Sequence, residues 1–329
     1  MEQTLLKDIP LEKDYPIAHM LRVSNLELKD TKNGKKYLMM SLGDKTKDLK
    51  WCKKWDSSED EFEKFRKVKV VFVTGKTDIY KDNMSIVCDT VAIPEDGAEE
   101  EFLKELIPST VYDIKMMKKE VWGYIQKMEC PYLKQLSELL VKDALVKERL
   151  GTFPAAANHH HSYRGGLLTH IYRLMINASS IVDIINSNMY PGSKLKINKD
   201  LVMFTMLGHD MYKIVEYNED CSYSPIGGLT PHLPLGAIEA SRKMDQIEGF
   251  PENLRRAVIH CLLGHHGQWG PTTPKSPEAI VSHYLDDMFA KLDPCLEGLD
   301  NSDEEFSKEK VKAIGGYAWL GASSRDAEN

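Results

Sequence analysis

No stretch of this chain is long and apolar enough to span a membrane. Its first residues, Met1 to Asp8, lack a basic region followed by an apolar one, so no secretory signal is expected there. The six cysteines (52, 88, 130, 221, 261 and 295) are scattered and form no C-x-x-C pair. That spacing speaks against a disulfide framework and against a cysteine-type zinc site, and predicts free thiols in a reducing cytoplasm. There is no internal repeat and no low-complexity segment. Positive charge is outweighed overall: 43 lysines and arginines against 50 acidic residues leave a net charge of −7, which argues against a generic polyanion binder.

The length allows two domains, and 42% apolar with 28% charged residues is ordinary for a globular protein. The charge is unevenly spread. From Lys29 to Lys54 there are nine lysines against Asp30, Asp44 and Asp48, and the remainder of the chain is acidic. Local fields steer ligands, so this patch can act although the total is negative.

Short apolar or alternating runs over residues 17–23, 36–42, 49–55, 68–74 and 85–93 predict five strands separated by turn signals such as Asn33-Gly34 and Gly43-Asp44. Ser58 to Phe65 reads as a short helix between the third and fourth. Five strands with a helix in that place fit an OB-type β-barrel. The acidic, turn-rich segment from Pro94 to Glu101 reads as a break. Beyond it the apolar spacing is near 3.6 over 121–128, 132–150, 167–185, 201–217, 236–246, 254–263 and 277–292, which predicts an all-α domain. The expected organisation is a barrel over 1–95, a linker and connecting helix over 96–130, a helical domain over 131–300, and a tail over 301–329 that is either a strap or disordered.

Ten of the eleven histidines fall between His159 and His283. His209-Asp210-Met211-Tyr212-Lys213 follows an apolar run and places an imidazole, a carboxylate and an ammonium together. His170 lies upstream; His232, His265, His266 and Asp286 lie downstream, with Asp287 the competing neighbour of Asp286. Imidazole plus carboxylate suits Mn, Fe, Co, Ni or Zn, and one carboxylate can bridge two ions. Such ions can activate water at neutral pH and stabilise displacement at phosphorus, so the first expectation is a metal-dependent phosphoesterase. Lys213, four residues after His209 and three after Asp210, shares their side of a helix, and a buried lysine there calls for an anion such as a substrate phosphate or a leaving-group oxygen.

The order of these strings resembles the HD superfamily of metal phosphohydrolases. They are Asn158-His-His-His-Ser-Tyr-Arg-Gly-Gly-Leu-Leu-Thr-His170, Gly208-His-Asp-Met-Tyr-Lys-Ile-Val-Glu216, Leu263-Gly-His-His-Gly267 and His283-Tyr-Leu-Asp286. Together with the barrel, they are most similar to the YhaM-type 3′-5′ exoribonucleases, over roughly residues 15 to 295. The resemblance implies an α+β multidomain protein: an N-terminal OB-type β-barrel followed by an all-α HD-domain. It implies His170, His209, Asp210 and Asp286 as the basic metal set, with Asp210 bridging. It adds His232, His265 and His266 as the further ligands of a two-ion site, manganese foremost. Lys213 would bind phosphate or assist the leaving group, and His160 and His161 would line the substrate channel. Phe289 stands where the family commonly has an acidic residue.

Lys36, Tyr37, Trp51, Lys53 and Trp55 lie in the basic patch, and a basic groove with stacking aromatics is how OB-folds hold single strands. Strand alternation puts Trp51, Lys53 and Trp55 on one face. The activity that the resemblance implies is 3′-5′ hydrolysis of single-stranded RNA, with DNA open. The partner is single-stranded nucleic acid rather than a membrane, the location cytoplasmic, and a homo-oligomer is consistent with the family's habit. Two alternatives remain: a phosphodiesterase of cyclic or short signalling nucleotides, and an inactive single-strand-binding protein.

Overall fold

The computed structural model describes residues 4–80, 83–95, 98–157, 161–188 and 192–321. The chain divides into two compact units, 1–109 and 110–329.

The first unit is a closed five-stranded barrel of β1 (Pro16–Asp30), β2 (Lys36–Gly43), β3 (Asp48–Lys54), β4 (Val70–Tyr80) and β5 (Asn83–Ala92), with neighbours in the order β1-β2-β3-β5-β4. β1 pairs antiparallel with both β2 and β4, and β3 meets β5 in parallel at Lys53 and Val87. This closure leaves no open edge and is the OB-like arrangement that the strand count predicts. Alternation does the sorting: Ile17 and Leu21, Leu38, Met40 and Leu42, Val71 and Val73, and Met84 and Ile86 turn inward and are almost fully buried. Between β3 and β4, α1 (Glu59–Phe65) starts on a capping box. The Ser58 side chain accepts from the Glu61 N–H, and the Glu61 carboxylate accepts from the Ser58 N–H.

The stretch expected as a linker and connecting helix is shared between the units. α2 (Glu99–Leu106) closes the first unit, and α3 (Ile114–Gln126) opens the second. The second unit continues with α4 (Pro131–Lys142), α5 (Ala144–Arg149), α6 (Gly166–Ser187), α7 (Lys199–Gly208), α8 (Lys213–Glu216), α9 (His232–Met244), α10 (Glu252–Gly264) and α11 (Pro277–Asp300). Among the described residues no helix is long and apolar enough to cross a membrane.

Two helices are shorter than their periodicity predicts. The pattern over 132–150 breaks at Asp143, whose carboxylate leaves α4 and accepts from the N–H groups of Leu145 and Val146, starting α5. The pattern over 201–217 breaks after Gly208, so that His209 to Tyr212 form a turn between α7 and α8. α7 is the central helix: every residue from Leu201 to Gly208 is buried. Each large apolar side chain there contributes about 1.5–3 kcal/mol of burial.

The second unit is not purely helical. The segment expected as a strap or disordered tail forms a hairpin of β6 (Phe306–Val311) and β7 (Gly316–Trp319). Val311 and Ala318 turn inward against Leu299 near the end of α11.

Candidate metal centre

The turn after α7 is where the chemistry-bearing residues meet. His209 caps α7, and its Nδ1 lies 3.2 Å from the carbonyl oxygens of both Thr205 and Met206. A ring that donates Nδ1–H to a backbone carbonyl presents a lone pair at Nε2. His265, at the end of α10, is turned in the same way by the Leu262 carbonyl at 2.7 Å. His232, at the start of α9, is turned by the Glu216 carboxylate, 2.6 Å from its Nδ1. All three Nε2 atoms face the carboxylate of Asp210.

Asp210 divides its oxygens between two groups. Oδ1 lies 3.2 Å from His232 Nε2 and 3.7 Å from His265 Nε2. Oδ2 lies 3.4 Å from His209 Nε2, 3.5 Å from His170 Nε2 and 2.7 Å from Lys213 Nζ. On α11, Asp286 Oδ1 approaches His170 Nε2 at 3.1 Å and His209 Nε2 at 3.7 Å. Donor atoms thus cluster as Asp210 with His232, His265 and His266, as His170 with His209 and Asp210, and as His209 with His265 and Asp286, each set within 4.8 Å.

The electrostatics favour anionic carboxylates, neutral imidazoles at His265 and His266, and a protonated ring at His209. Burial alone would raise Asp210, but Lys213 and His209 hold its carboxyl well below the usual range. Asp286 is likewise raised by burial, and the contacts from His170 and His209 win and hold it low. His266 is pushed down to about 3, first by burial and then by His265, and His265 is lowered chiefly by burial. For His209 burial opposes the charge, but Asp210 outweighs it and raises the ring to about 10. Burial disfavours the Lys213 ammonium, and Asp210 more than compensates.

These residues fit a divalent transition metal. Asp210 Oδ1, His232 Nε2 and His265 Nε2 are buried, converge, and make no hydrogen bond to the protein. Buried polar atoms in that condition cost stability unless something binds them. An all-imidazole and carboxylate set is what such an ion takes. Buried His and Asp groups here could hold a metal, with Asp210 common to two of them.

No family model matches the chain. It is, however, 26% identical over 287 residues to the 3′-5′ exoribonuclease YhaM of Geobacillus sp. (strain WCH70), covering 86% of this chain and 84% of the relative. It is 25% identical to YhaM of Bacillus subtilis (strain 168) over 287 residues, 86% of this chain and 87% of that one. With YhaM of Listeria welshimeri it shares 28% over 267 residues, 79% of this chain and 80% of the relative. The chain is similar to YhaM-type 3′-5′ exoribonucleases along most of its length.

Against that YhaM-like background, His170, His209, Asp210, His232, His265, His266, Asp286 and Lys213 are brought together. Asp286 rather than Asp287 faces the cluster: Asp287 pairs with Lys291 at 2.6 Å and is far more exposed. Lys213 meets its anion within the chain, in Asp210. His161 sits beside the centre with its ring 5.6 Å from that of His170. Both of its nitrogens are engaged, Nδ1 with the Tyr163 hydroxyl at 2.6 Å and Nε2 with Asp293 at 3.0 Å. His160 lies outside the described residues. Phe289 is buried beneath the Arg173 guanidinium.

On the barrel, Trp51 and Trp55 are not core. Trp55 is 44% exposed and lies 4.9 Å from the ring of Tyr37. Lys53 Nζ sits 5.6 Å from the Trp55 ring and 5.1 Å from Tyr80, whose ring lies 5.3 Å from Trp51. Trp51 has φ +59, an uncommon conformation for a bulky residue and one that clusters at functional sites. Lys36 is engaged by Asp30 and Glu59 at 3.6 and 3.2 Å. Sequence reasoning missed Tyr80, Glu216 and Asp293. Glu216 had a local signal, a carboxylate three residues beyond Lys213; the other two become visible only when distant elements meet.

Proposed function

We propose that this chain is a metal-dependent 3′-5′ exonuclease acting on single-stranded RNA. The OB-like barrel grips the strand and an HD-type site in the helical unit hydrolyses the terminal phosphodiester. The observation that carries this reading is the Asp210 carboxylate, shared by two buried donor groups, in a chain similar to YhaM exoribonucleases.

In this reading His232, His265 and His266 with Asp210 would hold one divalent ion, and His170, His209 and Asp286 with Asp210 a second. Manganese is the first metal to test. Bound there, such ions supply Lewis acidity toward the phosphodiester and toward water at neutral pH. The chain's own residues do the rest. Asp210 stays anionic because Lys213 stands against it. Lys213 in turn carries a fixed positive charge toward which a phosphate or a departing oxygen can move. Tyr37, Trp51, Lys53, Trp55 and Tyr80 form an aromatic and cationic face on which unpaired bases can stack without sequence readout. Free thiols at all six cysteines accord with a reducing cytoplasm.

The test is hydrolysis of a 5′-labelled single-stranded RNA with Mn²⁺, comparing the chain with its Asp210→Ala variant. A ladder shortening from the 3′ end, absent in the variant, is expected. An uncut strand with turnover of short cyclic or linear nucleotides would move the protein to the signalling-nucleotide class. Retention of the strand without any hydrolysis would leave a binding protein.

A further inference from the structure

Nine residues before His170, the backbone at His161 adopts φ +57. A side-chain-bearing residue is strained there unless its surroundings hold it. Here they do. The His161 carbonyl accepts from the Ala155 N–H at 3.1 Å, and a Cβ at Gly166 would stand 2.0 Å from that carbonyl oxygen. Only glycine at 166 lets α6 begin so close.

The ring is held as tightly as the backbone. Asp293 Oδ2 lies 3.0 Å from His161 Nε2 and 2.6 Å from Arg173 Nη1. The Arg173 guanidinium also lies over the Phe289 ring, 5.2 Å from its centroid. A carboxylate between an arginine and an imidazole only accepts, so Nε2 carries the proton and Nδ1 is left to receive the Tyr163 hydroxyl. The chain of contacts therefore runs from Tyr163 through His161 to Asp293 and Arg173. The Tyr163 hydroxyl takes Nδ1, and Nε2 is turned to the Asp293 carboxylate. What it offers the centre is a ring face packed beside His170.

Helix spacing shows what the arrangement spans. His170 and Arg173 are three residues apart on α6, and Asp286 and Asp293 seven apart on α11, so each pair shares a face of its helix. The inner pair, His170 with Asp286 at 3.1 Å, belongs to the metal cluster. The outer pair, Arg173 with Asp293, ties the same two helices farther along, and His161 is fastened to it.

We propose that Asp293 is a positioning residue for the metal centre: through His161 and Arg173 it fixes the ring wall beside His170 and the spacing of α6 from α11, which carries Asp286. This rests on the reading of the cluster as a metal site. Asp293 belongs to none of the three donor groups, so the expected effect of its loss is on the geometry of the ligands.

The experiment is titration of the full chain with Mn²⁺ by calorimetry, together with the visible spectrum of the Co²⁺-loaded form, for the wild type, Asp293→Asn and Tyr163→Phe. Loss of a partner bonded directly to a ligand costs about 10–100-fold in metal affinity, and Asp293 acts one contact farther out, so about 10-fold is expected. Asp293→Asn should show that loss and a changed Co²⁺ spectrum in a variant that still folds, with a lowered melting temperature. Tyr163→Phe, which removes only the hydroxyl at the far end of the ring, should show a smaller loss in the same direction. It serves as the deciding variant if Asp293→Asn does not fold. Wild-type affinity and spectrum in a folded variant would overturn the positioning role. A wild-type chain that binds no Mn²⁺ would instead overturn the metal reading on which it stands.

Discussion

One carboxylate oxygen of Glu216 lies 2.6 Å from the ring Nδ1 of His232 and 2.6 Å from its backbone nitrogen. The backbone N–H donates to that oxygen as α9 begins, so a single buried acceptor fixes both the start of the helix and the rotation of the ring. Burial would raise Glu216, and His232 more than offsets it, keeping the carboxylate ionised. Glu216→Ala should leave two donors without their acceptor, costing about 1–3 kcal/mol of stability. It should also weaken Mn²⁺ binding by about 10–100-fold, since the ring is no longer aimed. Calorimetric Mn²⁺ titration of the folded variant checks this, and an unchanged affinity would remove Glu216 from the site.

Lys213 gives a prediction of opposite sign for binding and turnover. Its ammonium stands 2.7 Å from Asp210 Oδ2, the oxygen that faces His170 and His209. A cation there competes with an ion for the same carboxylate, and it also offers charge to a phosphate. Lys213→Met should therefore keep or tighten Mn²⁺ affinity while lowering kcat on single-stranded RNA by about 10²-fold, the scale for loss of one preorganised charge contact. If affinity and turnover fall together, Lys213 is only a support for Asp210.

Much of this was legible in the residues, for physical reasons. Barrel strands alternate because one face is buried, and Leu38, Met40 and Leu42 or Val71 and Val73 carry that signal directly. The donor set was legible because imidazoles and carboxylates are rare neighbours in an apolar surrounding such as α7. The helix breaks were not. Apolar spacing runs through Asp143 and through Gly208, and it is capping at the first and the site turn at the second that interrupt it. The hairpin of β6 and β7 was hidden because only Ser307, Val311 and Ala318 are buried within it, too few to mark a strand pair. Asp293 could not be singled out, since its partners lie over a hundred residues earlier in the chain.

The aromatic face of the barrel predicts a particular pattern of affinity. Trp55 is half exposed, tilted against the ring of Tyr37 and covered by Lys53. Stacking on such a ring is worth about 1–3 kcal/mol per base, while a lysine–phosphate contact is weakened by salt. In the Asp210→Ala background, Trp55→Ala should weaken binding of oligo(U) RNA by about 5- to 150-fold with the salt dependence intact. Lys53→Ala should flatten the salt dependence. Fluorescence anisotropy across a salt series reads both, and wild-type affinity in Trp55→Ala would take the barrel face out of the strand path.

Asp143 links stability to pH. Its carboxylate accepts from two N–H groups at the start of α5 and pairs with the Lys243 ammonium at 2.8 Å. Burial raises its pKa, and Lys243 together with the backbone donors more than reverses this, so the folded value lies below the ordinary 3.8. A carboxyl depressed on folding contributes stability that is fully present above its unfolded value and disappears as pH falls through the folded one. Replacing Asp143 with alanine should cost about 1–2 kcal/mol at pH 7 through the lost cap. That gap between the two proteins should hold down to about pH 5 and close below 3.8, because the wild type then protonates the group that the variant lacks. Urea unfolding of both at pH 7 and pH 3 measures it. A gap of equal size at both values would mean that Asp143 acts by shape alone, and that the carboxylate adds nothing to the break between α4 and α5.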